Sequence, residues 1–225
     1  MSGVLGSLLP AYLFCIAEQD IDSALAGVLN SLTPIFVIII GAIFFQSKTS
    51  TNKVIGILIA FSGSILLFLS QPNFSENSNA FHVLLVVIAT IMYGTNVNMV
   101  HRYLNNIPSL QIAALALFLN SIPALIVLYF TGYFQLDLTD KGILLSTGFS
   151  FILGIFGTAV ASVMFYMLIK RAGAVFSSMV TYGIPFVAIM WGMIYGEKIG
   201  WKQVLSLLII LAGVYVANRK INKAQ

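Results

Sequence analysis

The chain has 225 residues, of which 59% are hydrophobic and only 8% charged, against about 25% charged in an ordinary soluble domain. A net charge of +4 is spread over short loops and does not call for nucleic acid. A soluble globular domain and a single secretory leader are both excluded, because apolar runs recur along the whole chain.

Polar breaks divide the sequence into eight apolar segments near the length a helix needs to cross a bilayer. In chain order they run over Ser2–Ala17, Ser23–Phe45, Val54–Ser70, Phe81–Val100, Leu110–Phe130, Ile143–Ile169, Ala174–Tyr195 and Val204–Asn218. Runs such as "ILLFL" and "VLLVVIATIMY" do not alternate, which argues against barrel strands. The expected fold is therefore an all-α polytopic membrane protein. The only cysteine, Cys15, lies inside the first segment, where packing is its default role.

Eight of the 11 basic residues (Lys48, Lys53, Arg102, Lys170, Arg171, Arg219, Lys220 and Lys223) fall in one alternating set of connections and the C-terminal tail. Lys141, Lys198 and Lys202 fall in the other set, together with all seven acids. The excess of Lys and Arg places the first set and the C-terminus in the cytoplasm of a multi-pass cell-membrane protein, the inner membrane in a bacterium.

The second segment carries "NSLTPIFVIIIG" and the seventh "TYGIPFVAIMWG". A shift of 151 positions superimposes Gly3 on Gly154, Gly6 on Gly157, Phe14 on Phe165, Pro34 on Pro185 and Gly41 on Gly192; with a slip of one residue Gly63 falls on Gly213. The first three segments thus match the last three, five segments apart. An odd shift means that matched helices enter the membrane from opposite sides, as in inverted-repeat transporters. A chance match of small residues is the competing reading. Nothing matches the fourth and fifth segments ahead of the first, so the expectation is a ten-span arrangement lacking its first two helices: residues 1–70 as three of five helices of one unit, and 81–219 as a full second unit.

The stretches "LAGVLNSLTPIFVIIIGAIFF", "FSGSILL" and "SSMVTYGIPFVAIMWGMIYGEKIGWKQVLSLLIILAGVYV" resemble the EamA-type repeat of the drug/metabolite transporter superfamily. The resemblance spans almost the whole chain. It implies five plus five inverted spans, cytoplasmic termini and a central cavity through which small metabolites are exported or exchanged. The acidic residue usual after the family's proline helix is present as Glu197 but replaced by Ser47 in the first unit.

Pro34 and Pro185 each remove a backbone donor and free a carbonyl, which in lipid must be re-satisfied by neighbours. Both were therefore expected to bend their helices with a polar face inward. Asn30 and Thr33 beside the first proline, and Thr181 and Tyr182 beside the second, are cavity candidates, with Asn30 and Tyr182 expected to share one cavity. Ser31 lies on the same small, polar face, and Ser23, Gly27 and Ser178 read equally as packing residues, with hydroxyls closing backbone bonds. In the fourth segment Thr90, Tyr93, Gly94, Asn98 and His101 share a helical face, and Tyr93 and Asn98 are further cavity candidates. Asn96 and Asn120 read as amides pairing across helices, Trp191 and Tyr195 as an interfacial belt, and Gly157 with Ala161 as a close helix contact.

No Asp, Glu, Lys or Arg lies in the interior of a span, which disfavours a charge-coupled pump and a phosphorylated substrate. No metal-ligand cluster and no nucleophile–His–acid set is present, so neither a cofactor nor an enzyme is expected. Two functional readings remain: a transporter of a small neutral, zwitterionic or amphipathic metabolite, or a non-transporting fragment or assembly partner. A membrane-embedded lipid enzyme is a distant third. The partners implied are the substrate, the bilayer and, within reach, a second copy of the chain.

Overall fold

The computed structural model describes residues 1–21, 23–70, 80–137, 139–194 and 200–219. Among the described residues, seven helical segments are long and apolar enough to cross a membrane, and an eighth, shorter apolar helix covers Val4–Ala17. The chain is an all-helical membrane protein, and its segments coincide with the apolar runs to within about three residues.

The elements are a π-helical turn (Val4–Leu8) leading into α1 (Leu9–Ala17), α2 (Ser23–Asn30), α3 (Thr33–Phe44), α4 (Thr51–Leu69), α5 (Ala80–Tyr103), α6 (Ser109–Phe130), α7 (Lys141–Leu153), a second π-helical stretch (Gly154–Val160), α8 (Ala161–Ala172), α9 (Ala174–Ser178), α10 (Ile184–Ile194) and α11 (Trp201–Asn218). The loop before α7 is polar and locally closed. Asp140 caps α7 by accepting from the Gly142 and Ile143 amides at 2.8 and 3.1 Å. Asp137 accepts from the Thr139 hydroxyl at 2.6 Å, and this bond and the Thr139 amide hold its carboxyl below the ordinary value.

Apolar side chains on lipid-facing helices gain little by mutual burial, so close backbone approach decides the packing. The tightest seam joins α4 to α11. A Cβ on Gly56 would lie 2.4 Å from Ala217 N, one on Gly213 2.4 Å from Ala60 N, and one on Gly63 2.9 Å from Ile210 N. The pairing of 56 with 217 and 63 with 210 makes the two helices antiparallel. Ile57, Ala60, Met179, Tyr182, Ile210 and Ala217 form the buried cluster along this seam.

Two further clusters hold α5 at the centre. Val37, Val97, Val100, Ile112, Tyr166 and Ile169 tie it to α3, α6 and α8, while Ala17, Ile21, Ala26, Leu85 and Val86 tie it to α1 and α2. The outward surface is lined with exposed large apolar groups such as Phe44, Leu69, Phe118, Phe149 and Phe156, as expected where acyl chains replace water. Cys15 is exposed on α1 and is not a packing residue of the interior. Nor does Gly157 meet another helix: a Cβ there would touch only Leu153 of its own segment, and Ala161 is exposed. The helix contact expected from the small-residue spacing is therefore absent among the described residues.

Candidate functional site

Each proline stretch interrupts the regular α-helical pattern within one long helical segment, Leu25–Phe44 or Ala174–Trp191. The first break is the turn at Ser31–Leu32 between α2 and α3, which puts Pro34 in the first turn of a new helix, where its missing N–H has no intrahelical partner to lose. The second is a 3-10 segment, Met179–Gly183, between α9 and α10, and Pro185 again stands in the first turn. Hydroxyls around both prolines back-bond to carbonyls of their own segments: Ser31 donates to Gly27 O at 3.1 Å, Ser177 to Gly173 O at 2.7 Å, Ser178 to Val175 O at 2.8 Å and Thr181 to Ser178 O at 2.9 Å.

Four of the candidate residues form two separate groups here. Asn30 is half-buried, and its Oδ1 accepts from the buried Thr33 hydroxyl at 3.3 Å. Tyr182 is only 2% exposed, lies in the α4–α11 seam, and donates its hydroxyl to Ile57 O at 3.2 Å. Thr181, beside it, spends its hydroxyl on its own segment. An unpaired phenol in that seam would cost about 1 to 3 kcal/mol, so the bond to Ile57 lets a polar side chain fill an otherwise apolar joint.

The polar face of α5 is turned toward α3. Gly94 lets the helices meet, since a Cβ there would lie 3.0 Å from Phe36 Cβ and 3.1 Å from Val37 N. Asn98, one turn further on, donates both amide hydrogens, to Val37 O and to Gly94 O, each at 2.9 Å. Its Oδ1 lies where a Cβ on Gly41 would approach to 2.8 Å. Asn98 is thus a clamp between α3 and α5 with only an acceptor left to offer. Tyr93 is half-buried against Phe14 of α1, with ring centroids 6.2 Å apart.

The amides off that face pair across helices. Asn96 Oδ1 accepts from Ser2 Oγ at 2.8 Å, Ser2 Oγ lies 3.2 Å from Tyr166 OH, and Asn120 donates to Gly3 O at 2.9 Å. Gly6 leaves room for the Asn96 amide, whose Nδ2 would be 2.2 Å from a Cβ at that position. Sequence reasoning did not single out Ser2 or Tyr166, because a lone hydroxyl in an apolar helix carries no signal of its partner. Beside this cluster an apolar groove of about 430 Å³ opens between the N-terminal turn, the end of α5 and α6. Met99, Tyr103, Gln111, Leu115 and Asn120 are among its lining residues, and none of the side chains lining it is charged.

A polytopic helical bundle with two proline-interrupted helices and a groove lined by uncharged side chains is compatible with a membrane transporter. The chain belongs to the EamA-like transporter family, whose model matches residues 1–69 and 80–219. It is similar to an uncharacterized transporter of Archaeoglobus fulgidus, with 28% identity over 219 residues covering 97% of this chain and 76% of that protein. It is also similar to the uncharacterized transporter YoaV of Bacillus subtilis, with 23% identity covering 88% of this chain and 67% of that one. A solved crystal structure shares the fold with a TM-score of 0.76 at 16% identity, over 96% of this chain and 75% of the other.

Proposed function

We propose that the protein moves a small neutral, zwitterionic or amphipathic metabolite across the cell membrane through a cavity between two inverted units, residues 1–70 and 81–219. The observation that carries this reading is the recurrence of backbone irregularities in one register. The break at 31–32 falls, after a shift of 151, on 182–183 within the second 3-10 segment, and the π-helical turn at 4–8 falls on 155–159 within the second π-helical stretch. Irregular backbone in a membrane is tolerated where it is buried in protein or lines a cavity, and matched discontinuous helices are a hallmark of secondary-transporter binding sites.

The α4–α11 seam supports the same relation. A shift of 150 carries Gly63 to Gly213 and Ala60 to Ile210, so the contact of Gly63 with Ile210 becomes that of Gly213 with Ala60. Both contacts occur, as a two-fold axis through the seam requires. Within this reading Asn30 and Thr33 supply polar recognition at the first break, and Tyr93 and the uncharged groove supply apolar contact. Tyr182 and the amide nitrogen of Asn98 hold the scaffold.

The test is flux. The purified chain is reconstituted in liposomes and assayed by counterflow with a panel of labelled neutral amino acids and small amphiphiles. At least one compound should exchange, and Asn30→Leu should abolish that exchange while insertion stays normal. Absence of flux for every compound would defeat the reading and favour the assembly-partner alternative, which the uncovered face at Gly154 and Gly157 also motivates.

A further inference from the structure

A second cavity, of about 130 Å³, lies where the end of α3, the start of α4, the last turn of α5 and the start of α9 converge. Its polar lining is Ser47, Lys48, Thr49, Lys53, Asn98 and His101. These residues come from two regions of sequence about fifty positions apart. They meet because Gln46 takes a left-handed conformation, φ 53°, with the Ser47 amide returning to Gly41 O at 2.9 Å. That turn sends residues 47–49 back over the cavity. On the opposite wall Gly173, φ 87°, lies close to the His101 ring. Span interiors hold no cations, but Lys48 in the loop and Lys53 in the first turn of α4 both line this cavity, which the linear order of charges does not reveal.

The charges here are unbalanced. No Asp or Glu occurs between Asp22 and Glu76, between Glu76 and Asp137, or between Asp140 and Glu197, and these intervals contain every lining residue. Neither Lys48 nor Lys53 forms an ion pair among the described residues. The Nδ1 atom of His101 is buried without a hydrogen-bond partner. Where the second proline stretch continues to Glu197, the first continues to Ser47, a hydroxyl in place of an acid. Lys53 is half-buried, Lys48 is exposed beside it, and no acid lines the cavity, so an anion is the counter-charge that fits it.

We propose that this cavity binds a phosphate anion that retains a proton at neutral pH, namely inorganic phosphate. Lys48 and Lys53 supply charge, and Ser47 and Thr49 supply hydroxyl donors, a set suited to a compact oxyanion. The discriminating group is Asn98. With both amide hydrogens given to Val37 O and Gly94 O, it presents only Oδ1, which repels a bare anionic oxygen and accepts from a P–OH. Sulfate and the phosphodiester of a lipid headgroup have no such proton at neutral pH. The volume holds about four waters, at roughly 30 Å³ each, enough for one such group. The site is separate from the transport reading and does not depend on it.

The experiment measures binding without flux. The purified chain in nanodiscs of zwitterionic lipid is titrated with inorganic phosphate and with sodium sulfate by calorimetry, and the phosphate titration is repeated in discs containing phosphatidylglycerol. Phosphate should bind at one site per chain, with sulfate about tenfold weaker for the one lost charge-assisted bond. Lys53→Gln and Ser47→Glu should each weaken phosphate about tenfold, while Lys202→Gln, on α11 and away from the cavity, should leave it unchanged. Size-exclusion profiles matching the parent establish that the variants are folded. No saturable phosphate binding, or binding indifferent to both cavity variants, overturns the site. Sulfate binding equal to phosphate, or phosphate displaced by phosphatidylglycerol, overturns the proton-retaining assignment.

Discussion

Adding one methyl group at Gly213 tests whether backbone contact between α4 and α11 holds the bundle together. A Cβ there would lie 2.4 Å from Ala60 N, 2.6 Å from Gly56 O and 2.8 Å from Ala60 Cα, all backbone atoms that cannot rotate away. Ordinary contact begins near 3.5 Å, so the helices must separate by about 1 Å. Overpacking of this kind costs about 1 to 3 kcal/mol. Separation also strains the Tyr182–Ile57 hydrogen bond, worth about 0.6 kcal/mol between membrane helices. Alanine regains up to about 1 kcal/mol of helix propensity over glycine. The net loss for Gly213→Ala is about 2 kcal/mol, a fall of roughly 4 to 8 °C in the melting temperature of a chain this size. The assay is thermal unfolding in detergent followed by size-exclusion fluorescence. Gly154→Ala is the control, because nothing lies within 4 Å of its added Cβ. It should melt within about 1 °C of the parent or above it. Equal melting of Gly213→Ala and the parent, or an equal fall in Gly154→Ala, would refute backbone contact as the basis of the seam.

Asn98→Leu removes two hydrogen bonds and leaves Val37 O without its amide donor, so it should destabilise by about 1 to 3 kcal/mol, read as a lower melting temperature in the same assay. Tyr182→Phe keeps the ring and loses one bond; its melting should drop by no more than about 2 °C, and a larger fall would mean that the hydroxyl does more than meet Ile57 O. Asp137 has a carboxyl pKa lowered by the Thr139 hydroxyl and amide; the stabilisation is therefore present above the unfolded value and lost as pH falls through the folded one. Carbon-13 NMR of labelled aspartate should show it titrating below 3.8, and Thr139→Val should raise it. For orientation, Arg171→Cys and Asp140→Cys in a background lacking Cys15 should differ toward an impermeant thiol reagent, with position 140 labelled from outside. Arg171 is preferable to Lys170 for this purpose, because Lys170 donates to Ile107 O and its loss would disturb the loop.

The sequence determined what depends on local chemistry. Apolar runs set the helical segments, because a backbone in lipid must bond within itself and a span needs a minimum length. Pro34 and Pro185 marked the two interrupted helices, since a residue without an N–H cannot continue the ladder unaided. Only the folded chain shows that each interruption falls just ahead of its proline, at Ser31–Leu32 and at Met179–Gly183. Tertiary packing decided the partners. Asn96, Asn98 and Asn120 are alike in sequence, yet one meets Ser2, one clamps Val37 to Gly94, and one meets the carbonyl of Gly3. Tyr182 packs among Ile57, Ala60, Ile210 and Ala217, and the carbonyl it meets, that of Ile57, lies 125 positions away along the chain. Lys53 and His101 share a cavity only because Gln46 turns the chain back. Helix periodicity gives each polar group a direction, and the neighbour that lies in that direction is chosen by how closely glycine lets two backbones approach.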